Sequence, residues 1–151
     1  MENKYQVKIK TARNQSDTNL IESLKTGVLE EKKLLADCLI QLSEIMKRNI
    51  HAKSGYSSLH KYCLSILPLS KGAVYRRTQV AGKIHSYPIL LDLIGSGKLT
   101  LTAASVIVGN IGVNTSDSQI ITFVGKTVDE IKDLLGESDR HEAPDSIGAD
   151  L

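Results

Sequence analysis

On a helix running from Lys71 to His85, Arg76, Gln79 and Lys83 would fall within about 60° of one another, at about 100° per residue. An arginine, an amide and a lysine in one outward row suit the chemistry of a DNA major groove. The guanidinium can bond guanine twice, the glutamine amide can pair with adenine, and the ammonium neutralises phosphate. Gly72 belongs to the same row and would let a backbone approach closely. The Lys71 and Gly72 amides open the helix, where backbone N–H groups attract anions. Tyr75 and Arg77 flank the row. The candidate contacts are therefore Lys71, Gly72, Tyr75, Arg76, Arg77, Gln79 and Lys83. The plain alternative is a solvated basic face, with Tyr75 as a packing residue and Arg77 paired to a carboxylate. Val74, Thr78, Ala81 and His85 would face inward, with Ile84 at the edge of the buried arc.

The charge around this row is uneven. Residues 47 to 98 hold nine Lys/Arg (Lys47, Arg48, Lys53, Lys61, Lys71, Arg76, Arg77, Lys83, Lys98) against Asp92 alone, a local excess of +8 in a chain whose net charge is +2. Residues 112 to 151 carry nine acids against three bases, and residues 1 to 46 balance at seven each. Such an asymmetry points to a polyanion bound by the middle of the chain. Double-stranded DNA is the expected partner.

Local sequence signals predict an all-α chain of about seven helices. Leu20, Ile21, Leu24, Val28, Leu35, Cys38, Leu39, Leu42, Ile45, Met46 and Ile50 recur at spacings of three and four, as on one face of a long helix over 18–50. Gly27 is a candidate kink. Ile21, Leu24, Val28, Leu35, Cys38, Leu42 and Ile45 also fit a heptad seam broken by Glu31. This stripe is either a homodimer seam or the spine of an intramolecular bundle. The second is favoured, with any dimer made by surface left over near the N-terminal half. Shorter helices follow. Ser57 is read as the cap of 58–67, Ser70 as the cap of 71–85, and Tyr87-Pro88 as a stop. Helices are then expected over 88–94, from Thr100 or Thr102 to Ile111, from Ser116 to Val124, and from Thr127 to Leu135. Thr127 and Glu130 make a capping box for the last. Residues 1–16 look irregular and flexible, 17–136 form the helical domain, and 137–151 read as a disordered acidic tail.

The segment His60–Gly82 has the build of a helix-turn-helix. Cys63, Leu64 and Leu67 would hold the second helix, Pro68-Leu69-Ser70 would make the turn, and Val74 and Thr78 would anchor the reading helix. Pro68 stands where such turns usually carry Gly, and Leu64 where a small residue is usual. GYSSLHKYC (Gly55–Cys63), LSKGAVYRR (Leu69–Arg77) and GKLTLTAASVI (Gly97–Ile107) resemble the helical module that precedes the catalytic domain in a family of bacterial HNH endonucleases. Pro88-Ile89-Leu90-Leu91 and Gly125-Lys126-Thr127 with Asp129-Glu130-Ile131 echo two further units of that module, so the resemblance runs from Asp17 to Leu135. The order of elements is also similar, more weakly, to the central helix-turn-helix of ParB-type partitioning proteins. The resemblance implies a DNA-binding module. It does not carry catalysis over, because an HNH nuclease needs a His base and further His, Asn or Asp ligands around a metal ion. After Leu135 only His141 is present. The chain reads as a stand-alone copy of the module or as a fragment.

Other functions find less support. No paired carboxylates, phosphate loop or Ser/His/Asp set stands at usable spacing, and Gly95-Ser96-Gly97 lacks the rest of a nucleotide fingerprint. His51, His60 and His141 are scattered and receive no catalytic role. Cys38 and Cys63 sit in apolar helical patterns, as buried reduced thiols do. No enzyme activity, metal or cofactor is expected. No apolar run approaches the roughly 18 residues of a membrane helix, and no signal peptide opens the chain, so a cytoplasmic location is expected. The alternative to DNA binding is a protein-interaction or regulatory module, with the basic block incidental.

Overall fold

The computed structural model describes residues 3–136. Among these residues there are nine helices and no strand: α1 Lys4–Arg13, α2 Asp17–Lys47, α3 Ile50–Lys53, α4 Leu59–Ile66, α5 Lys71–Ala81, α6 Ile89–Gly95, α7 Leu101–Val108, α8 Asp117–Ile121 and α9 Val128–Leu134. The expected all-α bundle, with its long helix near the N-terminus and a helix-turn-helix, is therefore present. The acidic segment expected as a disordered tail lies outside the described residues. No described helix is long and apolar enough to cross a membrane.

The helix starts are fixed by side chains that the local sequence displays. Ser16, Ser58, Ser70, Thr100, Ser116 and Thr127 each accept a backbone N–H from the first turn of the helix they open. Each such cap contributes about 1 kcal/mol. The cap of α4 is Ser58 rather than Ser57. Thr127 and Glu130 close the expected capping box, and Ser116 with Gln119 forms a second one. Hydrogen bonds from the Thr127 backbone and side chain hold the Glu130 carboxyl below its ordinary range.

Two helices lie where periodicity gave none. Residues 4–13 were expected to be irregular, yet they form α1, opened by a capping box between Asn3 and Gln6. The short α3 follows Asn49, whose φ of 54° places it in the left-handed region. That residue ends α2 three positions before the expected Ile50, and asparagine adopts this conformation more readily than most. Gly27 does not split α2, which runs unbroken for 31 residues.

The centre of the bundle is α5. Helices α2, α4 and α7 all pack against it, α6 is laid along α2, and α9 along α7. Leu39, Leu90, Ile94, Ile107, Ile120, Ile131, Val74 and Val80 are the largest fully enclosed aliphatic side chains. Each contributes about 1.5–3 kcal/mol by leaving water. Ala103 and Ala104 on α7 are also buried, and such small side chains let helices approach closely. Cys63 is buried and Cys38 half-buried, both as free thiols. Burial, then the nearby Cys38, pushes the Cys63 thiol up from its ordinary value.

The long helix uses only half its length in this packing. Its buried residues are Leu39, Leu42 and Ser43. A Cβ on Gly95 would lie 3.7 Å from the Ala36 methyl, and one on Gly82 would lie 3.4 Å from the Met46 methyl, so α2 meets the bundle along its second half. Every residue from Asp17 to Glu31 is exposed. This half of α2 and all of α1 stand clear of the core as an arm.

Candidate nucleic-acid interface

The α4–turn–α5 unit holds the candidate residues. Leu59 and Cys63 of α4 and Val74 and Thr78 of α5 are buried, which seats the second helix as the pattern required. Leu67 is extended, with φ −113° and ψ 140°, as the residue before a proline prefers. The Ser70 hydroxyl accepts the Ala73 N–H at 3.2 Å and starts α5 immediately after the turn.

Three covering helices leave α5 a narrow solvent strip. Lys71, Gln79 and Gly82 are exposed and Tyr75 is half-buried. They occupy about 80° of arc, between about 60° and 140° from Val74. Arg76 and Lys83, expected to face outward, are half-buried at the edge of this strip. Val74, Thr78, Ala81 and Ile84 are buried as expected, but Val80 is fully buried as well. The outward row is thus rotated toward Tyr75 and cut back on the Arg76 side.

Two placements differ from the expected wheel. Gly72 was placed outward, and it is buried in the first turn, so its backbone is not offered to a partner from solvent. His85 was placed inward, and it is exposed. Its angle assumed a helix to residue 85, whereas α5 ends at Ala81 with Gly82 as its C-cap. Among the described residues Arg77 meets no carboxylate; its guanidinium donates to the Ala73 carbonyl at 3.0 Å, back along its own helix.

The surrounding charge is largely uncompensated. Lys47, Arg48, Lys53, Lys61, Lys71 and Lys98 of the basic block are exposed. Among the described residues only Arg48 of this block forms an ion pair, to Glu44 at 2.7 Å. The Arg48 hydrogen bond, with Lys47 and His85 further off, holds the Glu44 carboxyl below its ordinary range. Lys83 lines a small cleft with Ser86, Tyr87, Gly112, Val113 and Thr115, where the Tyr87 hydroxyl donates to the Gly112 carbonyl at 2.5 Å.

Sequence reasoning passed over one feature of the block. The Tyr56 and Tyr62 rings meet edge to face, with centroids 5.3 Å apart, in the stretch that also holds Lys53 and Lys61. The signal was available as one tyrosine before α4 and one within it, in a basic stretch. Among the described residues no three His, Cys, Asp or Glu side chains gather in a way that could hold a metal ion.

No protein-family model matches this chain, and neither a curated protein nor a solved structure matches it significantly.

Proposed function

We propose that this chain is a cytoplasmic, non-catalytic DNA-binding protein that presents α5 to a duplex, in the manner implied by its resemblance to the helical module of HNH endonucleases. The observation that carries this reading is the strip formed by exposed Lys71 and Gln79 with half-buried Tyr75 between them, on the second helix of a helix–turn–helix, inside a block of cations with almost no carboxylate beside them. Residues 71 to 79 rise about 12 Å along the helix axis, enough to address three or four base pairs. Gln79 is the base-reading candidate at one edge of the strip. Lys71 supplies phosphate neutralisation, and the half-buried Arg76 and Lys83 are further candidates. Gly72 and Arg77 support the helix rather than the contact, since one is buried and the other is bonded to its own backbone.

Arg76→Ala separates base reading from plain charge. A base contact predicts a loss of about 1–3 kcal/mol on the preferred duplex and little on unrelated sequences. A uniform loss across sequences makes Arg76 a phosphate contact. Unchanged affinity removes it from the interface. Fluorescence anisotropy with a selected and a scrambled duplex makes the measurement.

The protein-interaction alternative draws on a different observation, the bare first half of α2. It is compatible with DNA binding, because the two surfaces share no residue.

A further inference from the structure

Between Glu44 and Asp92 the chain contains no acid, and α3 and α4 lie wholly within that stretch. Glu44 itself is engaged by Arg48. Lys53, which ends α3, and Lys61, on α4, are exposed. Helices α3 and α5 pack against α4, and neither carries a carboxylate.

Two tyrosines are held in this corner by bonded backbone. Past α3 the chain reverses through two hydrogen bonds. The Tyr56 N–H donates to the His51 carbonyl at 2.9 Å, and the Gly55 N–H donates to the Ala52 carbonyl at 3.0 Å. Gly55, at φ 89°, supplies the left-handed residue that this reversal requires. Tyr56 therefore leaves α3 in a fixed direction, and its ring meets Tyr62 edge to face. Tyr62 is half-buried on α4, whose start is fixed by the Ser58 hydroxyl.

Contact with Tyr62 leaves Tyr56 36% exposed. Its neighbours Ser54, Gly55 and Ser57 are exposed and too small to cover a ring. A Cβ on Gly55 would meet nothing within 4 Å, so the space beside the turn is open. Acidic side chains of a protein partner would satisfy the lysines and have no use for the ring. A duplex would satisfy the lysines too, but it keeps its base faces inside the stack. A strand with unpaired bases offers phosphate to the lysines and a flat base to the ring.

We infer that α3, α4 and the turn between them bind a nucleic-acid strand with unpaired bases, one base stacking on Tyr56 while phosphates meet Lys53 and Lys61. Stacking tolerates any sequence, since every base has a π face. The chemistry is common to DNA and RNA strands. The site shares no residue with the strip on α5 and does not rest on duplex binding there.

The chain has no tryptophan, so Tyr56→Trp places a single indole fluorophore at the site. Oligothymidylate or oligouridylate of about 15 nucleotides is expected to quench its emission, and the tighter of the two identifies the strand as DNA or RNA. Inorganic polyphosphate is expected to bind without quenching, because it carries charge and no base. In anisotropy titrations Tyr56→Ala is expected to weaken binding of the tighter oligonucleotide by about 5- to 150-fold, and Tyr56→Phe by about two-fold or less, with the helicity of the parent kept. Emission unchanged by both oligonucleotides overturns the proposal. So does equal quenching by polyphosphate, or Tyr56→Ala binding the strand like the parent. A duplex titration keeps the two readings apart: loss of duplex binding alone counts against α5, and loss of quenching alone counts against this site.

Discussion

Val80→Asp is expected to unfold the domain. Val80 is fully buried on α5, the helix against which α2, α4 and α7 all pack. The substitution removes an enclosed aliphatic side chain and leaves a carboxylate with no cation or donor to receive it. The combined cost exceeds about 4–5 kcal/mol, a large part of the about 5–15 kcal/mol that holds a domain of this size. Gln79→Asp, one position away on the exposed strip, is expected to change stability by no more than about 0.5 kcal/mol. Circular dichroism melts of the two variants check this directly. Val80→Asp melting with the parent protein would refute the placement of α5 at the centre of the bundle.

Lys71→Glu combined with Lys83→Glu is expected to lower duplex affinity by about two orders of magnitude without unfolding the chain. Each reversal deletes one phosphate contact and the counterion release that goes with it, and sets a like charge against the DNA backbone. Lys71 is exposed and Lys83 half-buried, and neither belongs to the hydrophobic core, so the melting temperature should hold. The salt dependence should weaken together with the affinity, its log–log slope falling by about 2. A doubly reversed protein that binds like the parent would move any DNA contact away from α5. A matching control is Lys25→Glu with Lys33→Glu, two exposed positions of α2 outside the basic block, which should leave duplex affinity nearly unchanged.

The parts of the fold that the sequence displayed were those set by local chemistry. Ser70, Thr100, Ser116 and Thr127 open helices because a hydroxyl reaches the N–H three residues on, and that relation is visible in the chain. Asn3 and Gln6 carried the same signal for α1 and went unread, because Tyr5, Val7 and Ile9 form no apolar stripe at helical spacing. Asn49 ends α2 by a backbone conformation that periodicity does not register. The face of α5 was legible where one neighbour determines it: Val74, Thr78 and Ala81 point toward the core. Val80 and Gly72 were not, because their burial comes from three helices brought together by distant parts of the chain. His85 was misplaced by carrying a helical angle past Gly82.

The stripe on α2 shows both outcomes within one element. The spacing of its apolar residues was correct from Leu20 to Met46, and both readings of it, bundle spine and leftover surface, were available. Which half serves which purpose was not, because that depends on where α5 and α6 meet the helix. The bundle covers α2 from about Lys32 onward and leaves Leu20, Ile21, Leu24 and Val28 in solvent. For the candidate interface, residue types were readable and exposure was not. Arg76, Gln79 and Lys83 were named by residue type, whereas the strip left open on α5 runs from Lys71 past half-buried Tyr75 to Gln79, with Arg76 and Lys83 half-buried.

The most direct test of the account is a fluorescence-anisotropy titration of a labelled duplex with the unmodified chain across a series of salt concentrations. Neutralisation of about four phosphates by the basic block predicts a log–log slope near −3.6, or about a 150-fold loss of affinity between 50 and 200 mM salt. Absence of binding at the lowest salt, or an affinity that does not change across the series, would contradict it.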